Sequence, residues 1–170
     1  EIIATLKKVK GVVDVQPAGS LRRMRSTVGD LDILVAAKDS SAVMDAFTTL
    51  PRVSRVLGKG ETKSSIEFSD GVRAQVWVHS PEKFGTALQY ATGSKDHNVA
   101  LRQLALEKGL SLSEHSLTKI NSAKGAGQAA KDEIFCATEE EVYKILGLQW
   151  VPPELREGRD EVALAKTNSL

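Results

Sequence analysis

The spacing of apolar and polar residues predicts a first half in which strands and helices alternate. Strands are predicted at 11–19, 31–37, 52–60 and in the two arms of a hairpin within 62–79, around Asp70-Gly71. The stretch 31–37 is a nearly continuous apolar run, which is typical of a strand covered on both faces. Helical spacing is found over 1–9 and 39–50. We therefore expect a mixed α/β arrangement up to about residue 80.

The second half has a different pattern. Helical periodicity predicts helices over 80–94, 96–109 and 138–148, and the last begins with a capping box formed by Thr138 and Glu141. A short extended segment follows Gly109, and 120–133 is predicted to be a loop rich in small residues. After Trp150 the core periodicity is lost, so we interpret 150–170 as a linker.

Composition excludes several classes of protein. Lys and Arg number 23 against 22 Asp and Glu, and this balance does not indicate a partner by itself. Cys136 is the single cysteine, so a disulfide framework is excluded and a reducing compartment is expected. The three histidines lack metal-binding spacing, and no apolar run approaches the roughly 18 residues of a membrane span. The chain begins at Glu1 without Met, partway into a helical pattern, so we expect a fragment of a longer protein.

Two acidic residues open the apolar strand at 31–37. Asp30 and Asp32 are spaced i and i+2, which places both carboxylates on one face of a strand. That arrangement could hold a hard cation such as Mg²⁺, which prefers one or two carboxylates together with substrate phosphates. The alternative is the polar face of a half-buried strand.

Donors for anionic oxygens precede the two acids. Gly19-Ser20 predicts a tight turn in which backbone amides and a hydroxyl can approach an anion. Arg22 and Arg23 carry guanidinium groups that suit phosphate oxygens. Such donors beside acceptors for Mg²⁺ are what a metal-bound triphosphate requires, although arginines that solvate a loop would look the same.

Three ordered segments together resemble one family. "GSLRRMRSTVGDLDILV" (19–35) resembles the palm signature of the family X DNA polymerases, which are members of the nucleotidyltransferase superfamily. "YATGSKDHNVALRQLALEKGL" (90–110) resembles the thumb segment of that family. "TEEEVYKILGLQWVPPELREGRDE" resembles the end of the thumb in bacterial and archaeal members, ahead of their C-terminal phosphoesterase domain.

The resemblance implies a role for individual residues. Asp30 and Asp32 would hold the metal ions, Mg²⁺ or Mn²⁺, in a two-metal site. The residues implied to contact the nucleotide are Gly19, Ser20, Arg22, Arg23, Gly29, Tyr90, Thr92, Gly93 and Asn98. Arg73 and Arg102 would contact the primer and template. By their residue types alone, Asn98 and Arg102 could also be a solvated pair, and Tyr90 a core aromatic.

One position departs from the family pattern. The family has a third catalytic carboxylate after the hairpin turn, in the pattern Arg-x-Asp, and Gln75 takes its place here. An amide oxygen brings no negative charge and cannot accept the proton of the primer hydroxyl. We expect the metal that carries the nucleotide to be retained and the catalytic metal to be weakened. Glu67 could replace the acid only if the hairpin register turns it toward the site.

Two further positions bear on the site. Ala91 replaces the second aromatic of the Tyr-aromatic pair, so preference for deoxynucleotides over ribonucleotides is open. Trp77 follows Gln75 on the same strand face, where it could stack on the site or be a buried strand aromatic.

We expect an α/β (α+β) fold, with a nucleotidyltransferase-type palm of mixed sheet and flanking helices followed by a small α+β thumb. The palm is expected over 1–90, the thumb over 91–149 and the linker over 150–170. The implied activity is template-directed addition of deoxynucleoside triphosphates to a primer in gapped DNA, reduced by Gln75. The implied protein is a monomer, cytoplasmic and nucleoid-associated. The alternatives are a non-catalytic module that binds Mg–nucleotide and DNA, and a template-independent nucleotidyltransferase.

Overall fold

The computed structural model describes residues 1–26, 29–120 and 133–170. The chain forms two compact units, Glu1–Pro81 and Glu82–Leu170, and each is described by itself. The first unit contains three helices and five strands in its described part: α1 (Ile2–Lys7), β1 (Val12–Ala18), α2 (Gly19–Arg22), β2 (Leu31–Ala37), α3 (Ser41–Thr48), β3 (Val53–Lys59), β4 (Lys63–Phe68) and β5 (Arg73–His79).

The five strands of the first unit form one mixed sheet in the order β1-β2-β5-β4-β3. β2 and β5 are parallel neighbours, whereas the other neighbouring pairs are antiparallel. The sequence predicted these strands and the hairpin of β4 and β5, and the structure confirms them. The parallel pairing brings the start of β2 beside the start of β5.

The core of the first unit lies on one face of the sheet, where α1 and α3 pack. Leu6 and Phe47 from these helices are fully buried among the inward residues of the strands, which include Val35, Ile66 and Val76. Residues alternate along β5, so Gln75 and its i±2 neighbours point to the opposite face. β2 is buried almost throughout, as the unbroken apolar run predicted.

The second unit begins at Glu82, earlier than the boundary after residue 90 that the sequence suggested. Its elements are α4 (Phe84–Thr92), α5 (Lys95–Glu107), β6 (Leu110–Leu112), β7 (Leu117–Lys119), β8 (Glu133–Ile134), α6 (Glu139–Ile145) and α7 (Glu161–Lys166). The three short strands form an antiparallel sheet. Thr138 caps α6 by accepting the Glu141 N–H, as the capping box predicted. Residues 121–132 of the predicted small-residue loop lie outside the described residues.

Residues 150–170 are not the linker that the sequence suggested. Val151 and Ala165 are buried in the core of the second unit, and α7 folds within this segment. Arg156 is fully buried, and it donates to Glu139 Oε2 at 2.6 Å and to the Val151 carbonyl at 2.9 Å. The segment lacks periodicity because its anchoring residues include polar side chains, which a count of apolar positions does not register.

Among the residues that the structure describes, no helix has the length and apolar character needed to cross a membrane.

Candidate active site

The predicted acid pair lies where β2 begins. Asp30 directly precedes the strand and is exposed, and Asp32 is its second residue and is half-buried. Asp32 is the register partner of Ala18 in β1 on one side and of Gln75 in β5 on the other. The backbone pairing of three strands therefore fixes the position of Asp32.

The glycine turn between β1 and α2 closely approaches this acid. Gly19 has a φ of +60°, and a Cβ atom at this position would lie 2.5 Å from Asp32 Oδ2. Only glycine combines that backbone conformation with that contact. Ser20 and Arg22 lie in α2, and Arg23 directly follows it. The turn thus brings the chain that carries these predicted phosphate contacts next to Asp32.

Negative charge is concentrated at the acid pair. Burial raises the pKa of Asp32 above its usual range, and the neighbouring charge of Asp30 raises it further. Lys63 acts in the opposite direction but does not offset these two causes. A desolvated carboxylate beside a second carboxylate favours a bound cation. The two acids therefore fit one hard divalent ion.

Gln75 lies at the position where the resemblance placed a third acid. Its Nε2 donates to Asp30 Oδ2 at 3.4 Å, and it is the register partner of Asp32. An amide that donates to Asp30 adds no charge to the acid pair. In the described ranges, no group of three or more His, Cys, Asp or Glu side chains could hold a metal ion. The residues present thus fit one cation and do not fit a second.

Glu67 does not supply the missing acid. The hairpin register turns Glu67 to the same face as Gln75, but it pairs Glu67 with Arg73 and places Ser65, two residues away, opposite Gln75. The Glu67 carboxylate forms an ion pair with Arg55 at 2.7 Å. It takes part in no metal-binding group among the described residues. Glu67 therefore does not replace the third carboxylate, a replacement that the sequence had left open.

Lys63 is a residue near the site that the sequence analysis missed. It is the register partner of Trp77, and its Nζ lies 5.2 Å from the centre of the Trp77 ring. Trp77 is half-buried under this cation and is not a fully buried strand aromatic. The hairpin turn at Asp70-Gly71, once its register is known, is the signal that could have found Lys63.

The second unit carries the remaining predicted nucleotide contacts on α4, α5 and the turn between them. Tyr90 is 44% exposed, so it is not the core aromatic of the alternative interpretation. Thr92 is buried, and its Oγ1 donates to the Leu88 carbonyl at 2.7 Å. Gly93 ends α4 with a φ of +69°.

Asn98 and Arg102 lie one turn apart on α5, and their surroundings differ. Asn98 is buried, its Nδ2 donates to the Tyr90 carbonyl at 2.9 Å, and its Oδ1 accepts from Gln89 Nε2 at 2.7 Å. Arg102 is exposed. The interpretation of both as one solvated pair is therefore wrong for Asn98, whose side chain joins α5 to the end of α4.

Comparison with known proteins identifies the class to which this fold and site belong. Residues 1–77 match the family model described as DNA polymerase beta palm, and residues 87–157 match the one described as DNA polymerase beta thumb. The chain is a palm and thumb pair of the family X DNA polymerases, and it belongs to that family.

Individual relatives agree with this assignment. The chain is 35% identical over 164 residues to DNA polymerase/3'-5' exonuclease PolX of Bacillus subtilis (strain 168), covering 95% of this chain and 27% of that protein. It is 31% identical over 159 residues to DNA polymerase lambda of Rattus norvegicus, covering 82% of this chain and 28% of that protein. The chain thus spans little more than a quarter of the length of either relative.

The fold is similar to that of a solved structure described as Leishmania infantum polymerase beta in a ternary P/T complex. The TM-score is 0.75 at 21% identity, and the match covers 92% of this chain and 72% of the other. This likeness confirms the predicted palm and thumb architecture.

Proposed function

We propose that this chain is the nucleotidyl-transfer part of a DNA polymerase that adds deoxynucleotides to a primer in short-gap repair. The observation that supports the proposal most directly is the Asp30–Asp32 pair, held by three strands and approached by the Gly19 turn. Both curated relatives are named as DNA polymerases. The proposed partners are gapped or primed DNA and deoxynucleoside triphosphates, and the proposed protein acts as a monomer on DNA in the cytoplasm.

The first unit would bind the triphosphate. Asp30 and Asp32 would hold Mg²⁺ or Mn²⁺, and the ion would neutralise phosphate charge. Four residues around the Gly19 turn would contribute further contacts to the triphosphate: Ser20, Arg22, Arg23 and Gly29. Arg73, exposed at the start of β5, would contact the primer strand.

The second unit would bind the sugar, the base and the template. Exposed Tyr90 and the Thr92-Gly93 turn would lie against the incoming sugar. Asn98 would contact the base, and Arg102 would contact the template. Because the Asn98 amide is already bonded to the end of α4, its contact with a base would require this pair of bonds to be shared or exchanged.

Gln75 would limit the rate of the chemical step. Its amide carries no negative charge and cannot accept the proton of the primer 3′-hydroxyl. No neighbouring acid within the described part of the chain forms a three-residue group with Asp30 and Asp32. Nucleotide binding would persist in this site, and proton removal from the hydroxyl would lack a base.

The hydrogen bond from Gln75 to Asp30 supports a second candidate function. A side chain that occupies one oxygen of Asp30 suits a site that binds Mg–nucleotide without turning it over. In this case the chain would be a non-catalytic module that binds nucleotide and DNA in a longer repair protein.

Extension of a gapped primer–template by the chain and by Gln75→Asp distinguishes the two candidates. We expect the chain to extend slowly with Mg²⁺ and faster with Mn²⁺, and we expect Gln75→Asp to raise kcat by at least about 100-fold. A metal ion contributes several kcal/mol of charge stabilisation, and each factor of ten in rate corresponds to about 1.4 kcal/mol.

Ser65→Asp is the matched control for this experiment. Ser65 is the register partner of Gln75 and lies one strand further from Asp32, so an acid placed there adds the same charge at the wrong position. No gain in rate is expected. If the chain binds Mg–nucleotide but only Gln75→Asp extends the primer, the non-catalytic module is the native function. If neither the unsubstituted chain nor Gln75→Asp binds nucleotide, both candidate functions are wrong.

A further inference from the structure

The segment between α6 and α7 lies against the beginning of α5. The Ser94 N–H, just before this helix, donates to the Arg156 carbonyl at 2.9 Å. Gly158 has a φ of +74°, and a Cβ atom there would collide with Asp96 in the first turn of α5. A stretch that the sequence suggested to be a linker therefore packs closely on the helix that carries Asn98 and Arg102.

A buried histidine joins the first turn of α5 to this segment. His97 is fully buried, its Nδ1 lies 2.8 Å from Glu161 Oε1, and its Nε2 lies 2.9 Å from the Tyr143 hydroxyl. Burial lowers the pKa of His97, which favours the neutral imidazole. Because a carboxylate only accepts, Nδ1–H donates to Glu161 and the Tyr143 O–H donates to Nε2.

Glu161 binds the segment as well as the histidine. Its carboxylate also accepts the backbone N–H groups of Gly158 and Arg159, both at 2.8 Å. Burial acts to raise the pKa of Glu161, but hydrogen bonds from His97 and from the backbone N–H groups of Glu161 itself and Gly158 lower it overall. One buried carboxylate thus fixes both the backbone of 158–159 and the ring of His97.

The next residue of the same helical turn is held by α4. Asn98 follows His97, and its amide is bonded to Gln89 and to the Tyr90 carbonyl. The first turn of α5 is therefore bound at neighbouring residues by two different elements. Its rotation about the helix axis decides where Asn98 and, one turn later, Arg102 are directed.

We propose that Glu161 is a positioning residue which, through His97, fixes the first turn of α5 and so the orientation of Asn98 and Arg102. The inference rests on the proposed function for the part that concerns nucleotide. A buried charge is a weak source of stability compared with apolar packing of the same volume. Its hydrogen bonds are directional, however, and specify one orientation of His97 where apolar contacts would tolerate several.

The test uses the 170-residue chain with the substitution Glu161→Gln. Amide hydrogen exchange at His97 and Asn98 is expected to become about tenfold faster, the factor that corresponds to losing one hydrogen bond to a charged group. Exchange at Leu146, whose N–H is bonded within the second unit to Val142, should stay the same. Unchanged exchange at His97 and Asn98 would overturn the proposal.

Primer-extension kinetics distinguish a positioning role of Glu161 from a loss of folded structure. In primer extension we expect the KM for the deoxynucleotide to rise about tenfold in Glu161→Gln, with kcat within about twofold. Glu154→Gln, at an exposed acid of the same segment, should change neither value. Equal losses in kcat and kcat/KM, or an unchanged KM, would contradict the positioning role.

A second pair of variants tests the packing of the 158–159 segment on α5 without removing charge. Gly158→Ala forces the segment away from Asp96, whereas Gly109→Ala introduces the same backbone strain at a φ of +72° with nothing within 4 Å. Faster exchange in the first turn of α5 is expected in Gly158→Ala alone. If both variants behave alike, backbone strain is the cause and the proposal fails.

Failure of the proposed function would be recognised separately. If the unsubstituted chain neither binds nor extends with nucleotide, the polymerase assignment fails. The amide exchange and the NMR signals of the Asn98 side-chain amide still report the orientation of α5. A shift of these signals in Glu161→Gln supports the positioning role. Signals at the same positions as in the unsubstituted chain overturn it.

Discussion

Asp32 in the first unit and Glu139 and Glu161 in the second are acids withdrawn from water to different extents, and their charges are balanced differently. Glu139 is bonded to the Arg156 guanidinium, and the pKa of Glu161 is lowered overall by its hydrogen bonds. The pKa of Asp32, in contrast, is raised by burial and by Asp30. The more deeply buried acids are the ones whose charge is compensated.

The difference shows how to distinguish a candidate ligand site from a structural network. The second unit satisfies its acids with residues of its own chain, so nothing further is needed to stabilise their charge. In the first unit, Asp30 and Asp32 lie together, and the effects that raise the pKa of Asp32 outweigh the opposing charge of Lys63. This arrangement favours a cation supplied from outside the chain. The three predictions below test that contrast, from the largest expected effect to the smallest.

Breaking the compensated pair should give the largest loss of stability. Arg156→Ala removes the cation that is paired with the buried carboxylate of Glu139, so the free energy of unfolding of the second unit should fall by about 3–5 kcal/mol. The measurement is urea unfolding, followed for Arg156→Ala by Trp150 fluorescence in a Trp77→Phe background and for Arg55→Ala by Trp77 fluorescence in a Trp150→Phe background. Arg55→Ala, which breaks an ion pair whose arginine is 63% exposed, should cost at most about 1 kcal/mol. Comparable losses in both variants would refute the contrast.

Removing the uncompensated charge should affect binding and stability in opposite directions. Asp32→Asn is expected to weaken Mg–nucleotide binding by more than about 100-fold, because a metal ligand is lost. The same substitution should raise the melting temperature of the metal-free first unit, because the raised pKa means that the folded state disfavours the ionised form. This gain should shrink as the pH falls from 7 toward the ordinary value of 3.8, where Asp32 becomes protonated in both states.

Asp45→Asn is the control for that experiment, since Asp45 is an exposed acid of the same unit. It should leave nucleotide binding unchanged. A lower melting temperature in metal-free Asp32→Asn would show that the acid pair is compensated after all.

Protonation of His97 should give the smallest effect. Because its folded-state pKa is lowered, the unfolded chain binds the proton first as the pH falls below about 6.5. The second unit should therefore lose stability from that pH downward, by at most about 1.4 kcal/mol per pH unit. An NMR titration of the His97 ring, with the urea-unfolded chain as the reference, measures the difference. A folded midpoint at or above the unfolded one would be the contrary result.

Local patterns were sufficient to predict most of the first unit. The strands follow from alternation and apolar runs, and Asp30 and Asp32 are neighbours in sequence, so one strand assignment places both. Whether Glu67 supplies the third carboxylate could not be predicted, because the answer depended on the hairpin register and on an ion pair with Arg55. A shift of one residue would have turned Glu67 to the other face.

The second unit was harder to predict because its decisive contacts are long-range and polar. His97 and Glu161 are 64 positions apart, and nothing near either residue indicates the other. Arg156 and Glu161 are buried, yet charged residues in an aperiodic stretch are typical of a linker. The sequence therefore predicted the helix that carries Asn98 and Arg102 but not the contacts that hold its first turn.

The long-range contact between Glu161 and His97 has a consequence for folding during synthesis. The sheet of the first unit is complete when residue 79 has emerged from the ribosome, so that unit can fold early. The second unit cannot close its polar cluster until Glu161 has been synthesised, and until then His97 lacks its acceptor. A truncation after residue 149 would make this transient state permanent, and the nascent thumb would then be the part of the molecule most exposed to chaperones and proteases.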